Sequence, residues 1–420
     1  MNDDWLRDLE WNGIAYAAVT GCALLGLIAV WLKSPMLRRR WLPLPRIRPG
    51  TWTGLDVFLA FCVIQGFPAL IIAMLLSLGF FDPLVGLMPD KDAPVLQRNL
   101  YFQRCLPISS PLIVTLTLGF LFAMMFARSG SRPHQYGMSW GRWYANVGLG
   151  ILAFVCAWPV ILGIYALVSP AFSQGPHPFK QLAAQNLPVW EWGLLGFQAI
   201  VMAPLMEEIL YRGILLAWLR RASLIGQLAI PCMTFVLVSA DLVAMDGEAF
   251  TFSFNGDKVI PVLITLIGVA AHGYVLFRFA RDFRLSEAEV YRWRPEGGPD
   301  APGEVGEIGP SRSRRWADAN ALLAIVGTAM LFAVMHPRWP DPIALFPMGL
   351  LLGWLAHRTQ SLVGPIVFHA LFNLTAFIAL YGSVLTAPPQ NGNAETTALR
   401  PSVVGSTTSS TPASQLPLRK

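Results

Sequence analysis

Residues 190–219 read WEWGLLGFQAIVMAPLMEEILYRGILLAWL. A helix of ~20 mostly apolar residues crosses the hydrocarbon core of a bilayer, and this run exceeds that length. Yet its centre is Met206-Glu207-Glu208-Ile209-Leu210-Tyr211-Arg212-Gly213, two adjacent carboxylates and a guanidinium at membrane depth. Ionisable groups there are costly, need partners and mark function. On a helix Glu208 and Arg212 are i,i+4 neighbours and can pair. Glu207 is turned about 100° away, so its carboxylate is free to face another helix. The bland alternative is an ion-pair network that locks a helical bundle. Two carboxylates for one arginine count against it, because an unpaired buried carboxylate either raises its pKa or finds another partner.

The rest of the chain is built from similar runs. Of 420 residues 54% are hydrophobic and only 13% charged, against roughly 25% charged in soluble domains. The mean hydropathy is +0.50. Ten apolar runs qualify as candidate spans: 12–32, 53–80, 111–127, 145–168, 190–219, 223–245, 259–279, 317–336, 342–357 and 361–382. The expected fold is therefore all-α, a polytopic transmembrane helical bundle of about ten spans. Met1 to Glu10 holds four acidic residues and one arginine, unlike the basic n-region of a signal peptide, so the first run reads as a retained span.

The net charge of +6 sits in short clusters between apolar runs. That is the positive-inside pattern, not the basic face of a nucleic-acid-binding domain, and no nucleic-acid partner is expected. With the N-terminus outside, 20 of the 31 Lys and Arg fall in cytoplasmic segments. The five cysteines form no CxxC, and four lie in apolar runs, where the thiol behaves as a small hydrophobe. Residues 281–316 form a polar insertion with a Pro/Gly stretch and a basic end, and 386–420 a Pro/Ser/Thr-rich tail expected to be disordered.

Polar partners for the glutamates appear downstream. The eighth run ends Phe332-Ala333-Val334-Met335-His336, and the tenth contains His369-Ala370-Leu371-Phe372-Asn373. His369 and Asn373 are i,i+4 and project from one helical face. The bland readings are a helix-end histidine facing water and an interhelical hydrogen-bond pair. His272 has no polar side chain one turn away and reads as structural. His357 reads as interfacial, and His134 and His177 lie in loops.

Taken together, EExxxR, FxxxH and HxxxN, each in its own apolar run and in this order, resemble the CAAX-protease and bacteriocin-processing family of intramembrane proteases, which includes the type II CAAX prenyl endopeptidases. The resemblance covers 190–382. It includes Tyr211-Arg212-Gly213, the Gly349–Gly353 helix and Gly364-Pro365 ahead of His369; outside that range, residues 137–150 look like the family's usual entry to the preceding helix. It implies a catalytic core over 190–382, following N-terminal helices in 1–189 and preceding a tail over 383–420. One departure is clear: 128 residues separate Glu208 from His336, where the family usually has a single helical hairpin. An inserted pair of runs and a loop, about 223–316, fill the gap, and Ser239 stands where the family histidine usually falls. An even number of inserted spans preserves the direction of the later helices.

The resemblance implies an intramembrane endopeptidase acting on a membrane-associated, prenylated or other peptide substrate. Glu207 would be the base that activates water, His336 and His369 would surround the water and the carbonyl, and Asn373 would be the oxyanion donor. Glu208 and Arg212 would orient the helix. No cofactor is needed on this reading. The alternative of a Zn²⁺ held by Glu207, His336 and His369 also stands, since a glutamate and two histidines leave one position open. The expected setting is the bilayer of the plasma membrane. Competing classes are a non-catalytic immunity or scaffold protein and a transporter, the latter disfavoured because no internal repeat is visible. A simple residue count places His336 nearer the outer face than Glu207 and His369.

Overall fold

The computed structural model describes residues 51–90, 92–138, 142–172, 187–220, 224–240, 243–246, 249–252, 256–283, 310–336 and 338–385. In chain order these form α1 (Gly54–Ser77), the single turn α2 (Asp82–Val85), α3 (Val95–Ser129), α4 (Trp143–Val168) and α5 (Val189–Leu219). Then come α6 (Leu224–Ala240), strands β1 (Val243–Asp246) and β2 (Ala249–Phe252), α7 (Gly256–Phe283), α8 (Pro310–Val334), α9 (Asp341–Thr359) and α10 (Val363–Leu385). Each apolar run from 53 onward thus becomes a helix. The first run, 12–32, the centre of the polar insertion and the tail 386–420 lie outside the described residues.

Among the described residues the regular structure is helical apart from one antiparallel hairpin, β1 with β2. The run expected as a helix over 223–245 ends instead at Ala240. The sequence that follows contains the β-forming residues Val243, Phe250, Thr251 and Phe252 about Asp246-Gly247, and such residues with a Gly-X pair favour a hairpin over a helical end. Among the described residues, six helical segments are long and apolar enough to cross a membrane: Gly54–Ser77, Gln97–Ser129, Trp143–Ala171, Val189–Leu219, Val259–Phe277 and Val363–Gly382. The chain is thus an integral, multi-pass membrane protein. Gly226–Ser239 and Asn320–Val334 are apolar but shorter. α9 opens with Asp341 and ends with His357 and Arg358.

Helix α5 occupies the centre. Seven consecutive residues, Ile209 to Leu215, are buried on every side, the pattern of a helix wrapped by others rather than one with a single apolar stripe. Helices α1, α8 and α9 pack on this part of it, and α3 and α10 pack on its first half. Outward-facing apolar side chains such as Phe58, Leu70 and Leu167 are exposed, as suits helices whose outer face meets lipid.

Two ion pairs tie α5 and its neighbours near their ends. Arg104 of α3 pairs through two nitrogens with Glu191 at the start of α5. At the opposite end of α3, Arg128 Nε reaches Asp56 Oδ1 at 2.6 Å. The other oxygen of Asp56 accepts the Thr53 backbone N–H at 2.8 Å, closing a capping box at the start of α1.

Glycines set the closest helix approaches. A Cβ on Gly349 of α9 would sit 3.0 Å from Ala329 Cα of α8, and one on Gly353 would sit 3.1 Å from Ile325. A Cβ on Gly150 of α4 would sit 2.5 Å from the Gly364 carbonyl of α10. Small residues bring backbones together in this way where no hydrophobic effect drives helices together. The α6–α7 pair, within the stretch read as an insertion, packs on itself and on α8.

Candidate active site

The polar groups of α5 converge on α10. Glu208 and Arg212 are both fully buried, and Arg212 Nη1 donates to Glu208 Oε1 at 2.9 Å. His369 Nδ1 lies 2.9 Å from the same oxygen. A carboxylate held by an arginine can only accept, so Nδ1 of His369 carries a proton, and in the neutral ring Nε2 keeps its lone pair. That Nε2 faces Glu207 Oε2 at 3.8 Å. Among the described residues Glu207 Oε2 has no hydrogen-bond partner, although the Glu207 side chain is 29% exposed. With the His369 ring neutral, two acceptors face each other across a short gap, and a water donating one proton to each would satisfy both.

The local helix geometry sets this arrangement. α5 contains two π-helical stretches, Gln198–Met202 and Ile209–Leu215, the second beginning directly after the glutamate pair. Such stretches are rare and gather at functional sites. A widened turn leaves backbone carbonyls for other donors. The indole of Trp52 donates to the Ile214 carbonyl at 3.2 Å, and Asn373 Nδ2 donates to the Ala199 carbonyl at 2.8 Å. Neither partnership has a spacing signal in the sequence. Gly213 brings the second π stretch against the backbone of Tyr136, whose carbonyl would lie 2.9 Å from a Cβ there.

Phe332 joins the histidines. Its ring lies 5.7 Å from that of His369 and 5.1 Å from that of His336, both edge to face. The Arg212 guanidinium sits over its face, 4.3 Å from the centroid, a cation–π contact in a desolvated place. Arg212 Nη2 also approaches the Gly349 carbonyl at 3.5 Å. His336 lies just past the end of α8, with Nδ1 2.9 Å from the Phe332 carbonyl. A carbonyl only accepts, so here too Nδ1 carries a proton, and in the neutral ring Nε2 bears the lone pair. Among the described residues His336 shares no hydrogen bond with Glu207, His369 or Asn373.

The turn into α10 is packed inside the protein: Ser361 and Leu362 are each 2% exposed, and Leu362 N donates to the Gly137 carbonyl at 2.9 Å. α10 thus starts beside Gly213 and Tyr136, and two turns on its His369 meets Glu208 and the Phe332 ring.

The donor set of a metal site was a sequence expectation. Both Nε2 atoms carry the lone pair that a metal ligand needs. Among the described residues, however, no three His, Cys, Asp or Glu side chains cluster closely enough to hold an ion. Of the other histidines, His272 is buried in α7, His357 is half-buried near the end of α9, His134 is exposed, and His177 is outside the described residues.

This geometry can be set beside known proteins. Residues 309–375 match the family Rce1-like, type II CAAX prenyl endopeptidase. The Rce1-like segment spans α8, α9 and the first half of α10, and so carries His336, His369 and Asn373. Glu207, Glu208 and Arg212 lie outside it; the two glutamates meet it at His369, and Arg212 meets it at Phe332 and Gly349. No curated protein and no solved structure matches the chain. An Rce1-like segment in a multi-pass helical protein supports a membrane protease.

Proposed function

We propose that the protein is an intramembrane endopeptidase that hydrolyses peptide bonds with a water activated by Glu207. The observation that carries this reading is the bridge from His369, within the Rce1-like segment, to both carboxylates of α5. His369 Nδ1 is fixed on Glu208 and its Nε2 confronts the unpartnered oxygen of Glu207.

The chemistry follows from the donors and acceptors. The water between Glu207 and His369 gives one proton to Glu207 as its oxygen bonds to the carbonyl carbon. The carbonyl π electrons move onto oxygen. Asn373 has a second amide proton, besides the one given to Ala199, for that oxyanion. Collapse of the tetrahedral intermediate breaks the C–N bond, and Glu207 delivers its proton to the departing amine. Glu208 and Arg212 hold His369 and the α5 backbone in place. His336, with a free Nε2 lone pair, accepts a hydrogen bond from water or from the peptide. No step is routed through a metal.

The substrate on this reading is a peptide or protein presented at the bilayer of the plasma membrane, with prenylated C-termini as the first class to try. The test uses the full chain in liposomes with fluorescence-quenched peptides, prenylated and not, with and without chelator. Cleavage that persists in chelator supports the metal-free route. Cleavage that vanishes and returns with Zn²⁺ replaces it. Absence of cleavage across the panel favours the non-catalytic immunity or scaffold role.

A further inference from the structure

A cavity of about 460 Å³ lies between the α6–α7 pair and helices α8 and α9. It is separate from the glutamate site. Met330 and Ala333 line it, and at 100° per residue they point to a different side of α8 from Phe332. Its walls are almost entirely apolar. Of its polar side chains, Thr234 and Thr265 give their hydroxyl protons to carbonyls of their own helices, Ile230 and Pro261, at 2.9 and 2.8 Å.

His272 is different. It lines the cavity, is 4% exposed, and among the described residues has no hydrogen-bond partner on either ring nitrogen. Gly327 of α8 leaves room for the ring, with a Cβ there meeting His272 Cε1 at 3.8 Å. Buried polar groups left without a partner are costly, and each calls for an explanation. An imidazole with both nitrogens idle loses its hydration without compensation, whereas Phe would fill the same space at no such cost. The cavity volume is within the roughly 300–1,000 Å³ of small-molecule sites. His272 is five residues from Phe277, the end of its apolar segment, or about 7–8 Å along the helix. A polar group can therefore reach it from the membrane boundary.

We propose that this cavity binds a single-chain lipid with one terminal hydroxyl-bearing group, the chain along the apolar walls and the hydroxyl hydrogen-bonded to His272. Bulk acyl chains also fit the walls but leave the imidazole unpaired, so the histidine supplies selectivity rather than simple occupancy. Trp339, also in the lining, follows His336 by three residues, so occupancy bears on the turn that holds that histidine.

The test is independent of any protease activity. The full-length protein in nanodiscs is labelled with hexadecanol bearing a methyl-end diazirine, and the cross-linked peptides are mapped. We expect saturable labelling on α7 and α8, displaced by hexadecanol about tenfold better than by hexadecane, the ratio one hydrogen bond provides. His272→Phe should abolish that preference while leaving apolar labelling, and His272→Gln should retain it. Gly268→Leu, which fills the cavity from α7, should abolish both. Equal displacement by alkane and alcohol in the native protein would overturn the proposal in favour of bulk lipid. A dimer in native mass spectrometry of the nanodisc-released protein, with no labelling on α7 and α8, would make the face an oligomer contact instead. If His272→Phe misfolds, the alcohol-to-alkane ratio of the native protein and of His272→Gln decides.

Discussion

His369 Nδ1 and Glu208 Oε1 are 2.9 Å apart although 161 residues separate them in the chain. The same oxygen takes Arg212 Nη1 at 2.9 Å, so one buried atom neutralises a guanidinium and orients an imidazole. That division leaves Glu207 as the uncommitted carboxylate.

Glu208→Gln should therefore act on folding. Arg212 is fully buried, and a buried charge stripped of its partner costs about 3–5 kcal/mol. The expected result is a sharp drop in membrane yield and in the melting temperature of the detergent-solubilised protein. A Glu208→Gln variant as stable as the native chain would mean that the Phe332 face and the Gly349 carbonyl are enough for Arg212.

Asn373→Ala should lower stability as well as any cleavage. It leaves the Ala199 carbonyl of the first π stretch without its donor, a loss of about 1–3 kcal/mol. A melt measured beside activity separates the two roles of the amide: unchanged stability would show that the bond to Ala199 is incidental.

Gly150→Ala and Gly148→Ala make a matched pair. A Cβ at Gly150 meets the Gly364 carbonyl at 2.5 Å, while one at Gly148 meets nothing within 4 Å. Backbone cannot yield as a side-chain tip can, so Gly150→Ala should cost about 1–3 kcal/mol by pushing α4 off the helix that bears His369. Gly148→Ala should be neutral or slightly stabilising, since Ala is the better helix former. Thermal melts of the two variants check this, and equal melts would contradict the close approach of α4 and α10.

The sequence carries part of this arrangement plainly. The spacing of Glu208 and Arg212 announces their pairing because i,i+4 neighbours meet on any α-helix, and the apolar runs announce the helices because a bilayer demands their length. The contacts of Asn373 with Ala199 and of Trp52 with Ile214 are not legible, because they depend on π stretches that no residue pattern marks. The level of His369 against Phe332 is hidden too. It depends on how α10 packs against α5 and α8, which no residue spacing within one helix marks. The hairpin after Ala240 was obscured by hydrophobicity alone, which does not distinguish a helical end from a short strand.

The most direct test of the central claim is peptide cleavage by Glu207→Gln measured beside its melting curve. Gln keeps the size and hydrogen-bonding capacity of the side chain but cannot take a proton from water, and Glu207 Oε2 supports no hydrogen bond that the change would break. The account predicts a folded, membrane-inserted protein with a near-native melting temperature and no detectable hydrolysis of a peptide that the native chain cleaves. Hydrolysis at the native rate by Glu207→Gln would contradict it.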